Sequence, residues 1–288
     1  MSTILHTIVP VFTILALGVL LGGRSGVQAR TLSEVSLWVA SPALVFSLLA
    51  DNSLALERMA VLAGGAVFVG LGTAGLALLY MRLSGLGRGF LLPCVFFNAG
   101  NMGLACARLA FGEPGLEAAA IIFVVQALLT SLFGVWIAKG RGGFEEVMRA
   151  PLLYGSVGGV LVGVGGIEVP ALILEPIRML GAMAIPLMLL NLGLQLRDLR
   201  VSDLGHSLVA VLLRMGGGVA CALVYVSWLG VSGADGQVLL LVSVMPAAVM
   251  TSVLAERYDA APALVASAVV LGTACSVVVI PILLWALA

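Results

Sequence analysis

Two asparagines, Asn98 and Asn101, lie in an otherwise apolar stretch of the sequence, close to Gly100 and Gly103. A carboxamide surrounded by hydrocarbon needs a hydrogen-bonding partner, and glycine weakens a helix locally. We therefore predict an interrupted helix, in which Asn98 ends the first half and Asn101 begins the second. The backbone N–H groups of residues 101–104 would then be free. Together with the positive end of the helix dipole, they would suit an anion.

A second group of this kind surrounds Pro246 and includes Thr251 and Ser252. Proline removes a backbone donor from a helix, so Pro246 predicts a second interruption roughly midway along its helix. The two hydroxyl side chains would contribute to the same site. The alternative for both groups is a structural role, because small and polar residues also hold neighbouring membrane helices together.

Four further polar residues are candidates for this site. Asn191 and Gln195 are four residues apart and share one face of a helix, where they would line the site or bond across helices. Arg108 would attract anions from outside or extend to the membrane surface. Arg214 interrupts an apolar stretch, and a charge inside a membrane is functional by default. Its side chain could instead reach back toward cytoplasmic water.

The composition requires that membrane helices position these residues. Of the 288 residues, 61% are hydrophobic and only 10% are charged, whereas about a quarter of a soluble domain is charged. With only 14 lysines and arginines and 14 aspartates and glutamates, the chain has too little charge for the basic stripe that a nucleic-acid-binding protein needs. The four cysteines have no close spacing, so neither a metal centre nor a disulfide framework is predicted, and no cofactor is expected. The chain is predicted to be an all-α integral membrane protein.

Ten stretches of the sequence are apolar enough to cross a membrane, which requires about 20 residues in a helix. They are 1–23, 35–50, 59–81, 89–107, 118–138, 150–167, 179–196, about 205–228, 236–255 and 260–288. The second stretch is short, and Glu34 and Asp51 at its ends are expected at the two membrane surfaces. The few remaining residues leave no room for a soluble domain.

The distribution of basic residues predicts the orientation, because cytoplasmic loops are enriched in lysine and arginine. If both termini lie outside, ten basic residues fall in the cytoplasm and only three outside. The cytoplasmic ones are Arg24, Arg30, Arg82, Arg88, Lys139, Arg141, Arg149, Arg197, Arg200 and Arg257, and the external ones are Arg58, Arg108 and Arg178. We therefore expect a multi-pass protein of the cell (inner or plasma) membrane with both termini on the external side.

The ten predicted spans divide into two halves of five, residues 1–138 and 150–288, joined by a polar cytoplasmic linker at 139–149. An odd number of spans in each half makes any repeat between them an inverted one. SPALVF at 41–46 and AIPLML at 184–189 show weak similarity of this kind. Inverted repeats with interrupted helices in corresponding positions are typical of secondary transporters. Motifs of metalloproteases, serine hydrolases and ATP-driven pumps are absent from the sequence, and we do not expect an enzyme.

Five segments together resemble the auxin efflux carrier family, which includes the plant PIN proteins and many bacterial carriers of small carboxylates. They are PALVF at 42–46, NAGNMGL at 98–104, LAFGEPGLEAA at 109–119, PLMLLNLGLQL at 186–196 and MPAAVMTSVLAERYD at 245–259. The resemblance covers essentially all 288 residues. Many family members have a proline where this chain has Ala105, and the PIN proteins have another near Thr251. Gly100, Gly103 and Pro246 are therefore expected to produce the interruptions here.

The resemblance implies ten transmembrane helices in a five-plus-five inverted repeat, similar to the fold of the bile-acid/sodium symporters. Spans 1, 2, 6 and 7 would form a scaffold, and spans 3–5 and 8–10 a mobile transport domain. The broken helices 4 and 9 would cross at the substrate site.

We accordingly expect a secondary transporter of a small organic anion, an auxin-like monocarboxylate or a malate-like or malonate-like dicarboxylate, working by an elevator-type alternating-access motion. The predicted substrate-binding residues are Asn98, Gly100, Asn101, Gly103, Arg108, Asn191, Gln195, Pro246, Thr251 and Ser252. The expected partners are the substrate and the lipid bilayer, and no nucleic acid. A coupling proton or sodium ion and a homodimer are left open. Two alternatives also stay open: a sodium-coupled symporter of amphipathic anions, and a membrane ligand sensor without net transport.

The predicted orientation is tested by labelling single introduced cysteines with a membrane-impermeant thiol reagent in intact cells. Arg141→Cys and Gly143→Cys should react only after the membrane is opened, because the linker is predicted to be cytoplasmic. Gly233→Cys should react in intact cells. The unmodified chain, with its four native cysteines, gives the background. The reverse pattern of labelling would invert the orientation.

Overall fold

The computed structural model describes residues 2–22, 26–50 and 55–287. Within these ranges the protein is helical, and the one strand-like pairing is an isolated bridge between Phe97 and Ala247. Arg24 and Asp51, which were assigned above to the membrane surface or the cytoplasm, lie outside the described residues. The prediction of an all-helical protein is confirmed.

The first half contains five described helices, of which α5 is irregular. They are α1 (Ser2–Leu21), α2 (Ala29–Leu49), α3 (Leu56–Ser84), α4 (Leu91–Val95, preceded by a 3-10 turn at Arg88–Phe90) and α5 (Ala99–Lys139). Helix α5 is bent at Gly112, whose φ of 69° lies in the left-handed region that favours glycine. A wider, π-helical turn, which often marks a functional site, opens α5 at Ala99–Leu104.

The remaining described helices lie in the linker and in the second half. They are α6 (Phe144–Met148), α7 (Pro151–Val164), α8 (Ala171–Ala182), α9 (Ala184–Asp198), α10 (Gly205–Leu229), α11 (Gly233–Ser243), α12 (Val249–Arg257) and α13 (Pro262–Leu287). Helices α8 and α9 are separated by Met183 alone and together form one apolar run of 28 residues.

Seven of the described helical runs are long and apolar enough to cross a membrane, three fewer than the ten predicted spans. The seven are Ile4–Leu21, Ala29–Leu49, Leu56–Ser84, Ala99–Lys139, Ala171–Asp198, Gly205–Leu229 and Pro262–Leu287. The difference has three physical causes. Helix α5 joins parts of the predicted fourth and fifth spans, the predicted ninth span is broken into α11 and α12, and α7 has only 14 residues. Helix length alone therefore does not establish ten crossings.

The predicted second span begins too late. Helix α2 starts at Ala29 rather than at residue 35, so that Arg30 and Glu34 belong to the helix. The two side chains form an exposed ion pair of 3.0 Å one turn apart. Because paired charges at a helix end can remain in water, they do not terminate the helix.

Glycines allow close packing among α1, α2, α7, α8 and α9. A side chain at Gly18 of α1 or Gly193 of α9 would collide with the backbone of the other helix. Gly155 of α7 and Gly181 of α8 likewise approach the backbone of α2, where a Cβ atom would come within 2.8 Å of Pro42 or Leu44. Small residues at helix contacts are characteristic of membrane proteins, because dispersion forces between closely packed backbones hold the helices together.

An ionic cluster joins α3, α5 and α11. The Arg58 guanidinium donates to both carboxylate oxygens of Asp235, at 2.9–3.1 Å, and to Glu117 Oε2 at 3.0 Å. A further bond of 3.3 Å reaches the Pro114 carbonyl. The three charged side chains are each about a quarter exposed, so water screens the cluster only in part.

We expect Asp235→Asn to destabilise the protein by about 1–3 kcal/mol, because it removes the charge from the best-paired carboxylate of this cluster. The melting temperature in detergent measures the effect. Glu113→Gln is the matched control, since Glu113 forms a single ion pair with Arg108, 3.3 Å long and largely exposed, and should cost less than about 1 kcal/mol. Equal melting temperatures for both variants would show that the cluster contributes no stability.

Candidate functional site

Two helices are interrupted inside the protein. Residues 96–98 separate α4 from α5, and residues 244–248 separate α11 from α12. Both predicted interruptions are present, but the first was placed too late. The first half-helix ends at Val95 rather than at Asn98, and Asn98 already precedes the second half-helix as its N-cap.

The two non-helical segments are hydrogen-bonded to each other. The Asn98 N–H donates to the Pro246 carbonyl at 2.8 Å, and the Ala248 N–H donates to the Phe96 carbonyl at 2.9 Å. Backbone that leaves a helix deep in an apolar protein must find partners for its polar groups. Each interruption supplies them for the other, so the two breaks form one structural unit.

Asn98 accepts two hydrogen bonds from the first turn of α5. The side-chain oxygen accepts the Asn101 N–H at 3.1 Å, and the backbone carbonyl accepts the Gly103 N–H, also at 3.1 Å. The expectation that all N–H groups of residues 101–104 are free is therefore wrong for Asn101 and Gly103, because Asn98 caps the helix. The amide nitrogen Nδ2 is buried and has no hydrogen-bonding partner among the described residues. The side-chain atom that accepts the Asn101 N–H must be the oxygen, so the atom left unpaired is the NH2 group, which is a donor.

A cavity of about 530 Å³ lies beside the paired breaks. The starts of α5 and α12 both line it, through Ala99 and Val249. Its polar lining comprises Arg30, Ser33, Ser36, Asn98, Asn101, Gln126, Thr130, Ser131, Asn191 and Gln195. Its larger apolar side chains are Leu37, Phe97, Phe123, Met188, Met250 and Val253. Gly100 also lines the cavity, and a Cβ atom there would come within 2.7 Å of the Phe123 ring.

Asn191 and Gln195 meet on one wall of the cavity. Asn191 Nδ2 donates to the Ser33 hydroxyl at 2.8 Å, and Gln195 Nε2 donates to the same oxygen at 3.3 Å. Asn191 Oδ1 is buried without a partner. This wall therefore belongs to α2 and α9, opposite the breaks. Sequence reasoning missed Ser33 because the predicted second span began at residue 35.

Gln126 was also missed. It lies in α5, 3% exposed, and its Nε2 donates to the Val95 carbonyl at 3.4 Å while Oε1 has no partner. Thr130 follows one turn later and lines the same cavity. The signal for Gln126 was the one that identified Asn98, an amide in an apolar stretch, and a search of every span for amides would have found it.

Five of the ten predicted site residues do not line the cavity: Gly103, Arg108, Pro246, Thr251 and Ser252. The Thr251 and Ser252 hydroxyls donate to the carbonyls of Ala248 and Val249, at 2.6 and 2.7 Å, and so stabilise the start of their own helix. Pro246 contributes its carbonyl to the paired breaks. Arg108 is about half exposed and pairs with Glu113. An electrostatic role for Arg108 outside the cavity stays a prediction.

The chemistry of the cavity favours a negatively charged ligand. Among the described residues no acidic side chain lines it, and the two broken-helix ends that line it, those of α5 and α12, are N-terminal, where the helix dipole is positive. Asn98 Nδ2 adds a donor that needs an acceptor. Across the described ranges, no three His, Cys, Asp or Glu side chains lie close enough together to hold a metal ion.

Two sequence comparisons with known proteins point to membrane transport. Residues 144–284 match a family described as "Membrane transport protein". The chain is also similar to an uncharacterized transporter of Methanocaldococcus jannaschii, with 27% identity over 278 residues and 90% of each chain covered. Both matches are to membrane transport proteins, in agreement with the family resemblance seen in the sequence motifs, and they support a membrane transporter.

Proposed function

We propose that this protein is a secondary transporter that binds a small organic anion, a mono- or dicarboxylate, at the paired helix breaks. The observation that carries the proposal is the buried Asn98 Nδ2, a donor without a partner among the described residues, in a side chain that lines a cavity with no acidic group among its described lining residues. A buried amide donor is left unpaired in the empty protein only at a cost in free energy, which a carboxylate oxygen would remove.

The lining suggests how such a ligand would lie. Its carboxylate would accept a hydrogen bond from Asn98 Nδ2, between the N-terminal ends of α5 and α12. Its apolar part would contact Phe97 and Phe123. Gln126 Oε1 and Asn191 Oδ1, two acceptors without partners, would accept from a hydroxyl or N–H group of the ligand or from water.

We further propose ten membrane crossings in two inverted five-helix repeats, residues 1–138 and 150–288, joined by the linker at 139–149. The broken pairs α4/α5 and α11/α12 would cross at the site. The scaffold would consist of α1, α2 and α7–α9, and the transport domain of α3–α5 and α10–α13. The cavity supports this division, because Ser33 and Asn191 line it from the first group and Asn98 and Gln126 from the second. An elevator-type motion would slide one group past the other.

The shape of the cavity favours an inward-facing state. It extends from the breaks to Arg30 and Gln195, near the ends of α2 and α9. The distribution of basic residues predicts that these ends face the cytoplasm. On this basis the binding site would be open to the cytoplasm and closed to the outside, in the cell membrane and with both termini external.

Two alternatives make different predictions in reconstituted vesicles. A sodium-coupled symporter would accumulate its anion only with a sodium gradient. A membrane sensor would bind the anion without accumulating it. The proposed transporter would exchange labelled anion across the membrane without added sodium.

We expect Asn98→Ala and Asn98→Asp to weaken anion binding without preventing folding. A hydrogen bond to a charged group contributes roughly 1.5–3 kcal/mol, so losing it should lower affinity about tenfold or more. Asn98→Asp should bind more weakly than Asn98→Ala, because it places a negative charge against the anion, although aspartate can still cap the helix. The measurement is the affinity for indole-3-acetate and for malonate, together with the melting temperature, of each purified variant.

The matched control is Gln237→Ala. Gln237 is also an amide that bonds across helices, to the Leu287 carbonyl at 3.2 Å, but it does not line the cavity. This variant should lose some thermal stability and keep its affinity. Wild-type affinity in folded Asn98→Asp would refute the anion site, since no anion bound there could ignore the added charge.

A further inference from the structure

Arg214 is a charged residue buried inside the helix bundle. It is 1% exposed, and among the described residues it is the only charged side chain in the buried set. It lies in a π-helical turn, Leu212–Gly216, within α10. At 1.5 Å per residue it is about 13 Å from the start of that helix, well inside a hydrocarbon layer about 30 Å thick. The alternative considered for the sequence, that its side chain reaches cytoplasmic water, is therefore wrong.

The guanidinium bonds to the ends of both broken helices. Its Nη1 donates to the carbonyls of Cys94 and Val95, at 3.0 and 3.1 Å, which end α4. Its Nη2 donates to the carbonyl of Ser243, at 3.2 Å, which ends α11. Thr73 Oγ1 of α3 accepts a fourth bond of 3.3 Å. A helix leaves its last carbonyls unpaired and negative, so one cation serves two helix ends.

The absence of a side chain at Gly218 leaves the space that the Arg214 guanidinium occupies. A Cβ atom on Gly218 would collide with both the Arg214 guanidinium and the Ser243 carbonyl. The Phe97 ring, 4.9 Å from the guanidinium carbon, separates Arg214 from the cavity that Phe97 also lines. Arg214 therefore does not touch the cavity, and no carboxylate pairs with it within the described ranges.

The partial charges of the helix ends around the breaks can be compared with the single charge of Arg214. Each helix end carries up to about half an elementary charge, negative at the carbonyl end and positive at the N–H end. The carbonyl ends of α4 and α11 together match the single positive charge of Arg214, which stays protonated inside proteins. The N–H ends of α5 and α12, which line the cavity, remain without a counter-charge. One negative charge in the cavity would complete the balance.

We propose that Arg214 is the resident counter-charge of the transport domain: around the breaks, where it is the one fully buried charge among the described residues, the empty domain carries one positive charge, and a bound monoanion neutralises it. This inference rests on the proposed function. All four acceptors of Arg214 belong to α3, α4 and α11, which are helices of the proposed transport domain, so the charge would move with that domain. The loaded domain would cross the membrane without moving net charge, and the empty domain would move one positive charge on its return.

The first experiment measures exchange of labelled indole-3-acetate, a monoanion at pH 7, at equal concentrations on both sides of vesicles that contain the protein. Potassium gradients with valinomycin set the membrane potential. In the wild type and in Arg214→Lys, the exchange rate should be the same at 0 and about −100 mV. In Arg214→Gln the loaded domain would carry a negative charge. A potential of 100 mV changes the equilibrium of one full charge between the two sides of the membrane by up to about 50-fold. Exchange should therefore slow several-fold at the more negative potential.

Malonate, a dianion at pH 7, extends the series. With malonate the wild-type domain would retain one uncompensated negative charge, so exchange should depend on the membrane potential even in the unmodified protein. A wild-type exchange rate that is independent of potential for both anions would contradict the proposal, as would one that depends equally on potential for both.

A second experiment needs no substrate. Voltage steps across a planar bilayer containing the empty protein should produce transient charge movement in the wild type and in Arg214→Lys, and none in Arg214→Gln. Charge movement without exchange of either anion would refute the proposed substrate class and leave the counter-charge supported. Exchange without charge movement would refute the counter-charge and leave the transporter supported. If Arg214→Gln does not fold, wild-type exchange of indole-3-acetate that depends on potential, or an absence of charge movement in the wild type, refutes the proposal.

Discussion

The site depends on one constraint: backbone that leaves a helix inside an apolar bundle must have every N–H and carbonyl group paired. The two interruptions meet this requirement together. Asn98 and Pro246 pair across the breaks, as do Ala248 and Phe96, and Arg214 binds the carbonyl ends that remain. Neither break could persist alone in this form, because each supplies acceptors for the other. The cavity is the space left where these two segments replace regular helix.

The same arrangement separates charge within the site. The carbonyl ends of the broken helices face a buried cation, and the N–H ends line the cavity. The Phe97 ring contacts the Arg214 guanidinium and also lines the cavity. Helix direction therefore adds positive partial charge to a cavity whose described polar side chains, apart from Arg30, are uncharged. Few charged side chains are needed, which agrees with a sequence that is only 10% charged.

Sequence reasoning predicted the helical membrane class and both interruptions, because apolar length and the residues Gly100, Gly103 and Pro246 are local signals. It placed Asn98 at the end of the wrong half-helix, since the cap depends on a partner three residues later. It missed Ser33 because Glu34 was taken as the end of the second span. The four partners of Arg214 come from three other helices. Such long-range contacts leave no pattern in a single sequence.

The Asn98 side chain caps the start of α5 through its oxygen and keeps its nitrogen buried without a partner among the described residues, and these two conditions limit how the position can evolve. The position must hold an N-cap, and serine, threonine, aspartate and asparagine are the side chains that cap a helix well. Each of them would keep the helix start and present a different group to the cavity: a hydroxyl, a carboxylate or an amide. The fold thus restricts this position to a small set of residues. If the proposed site is correct, the choice within that set would change the group offered to the ligand while the architecture stays the same.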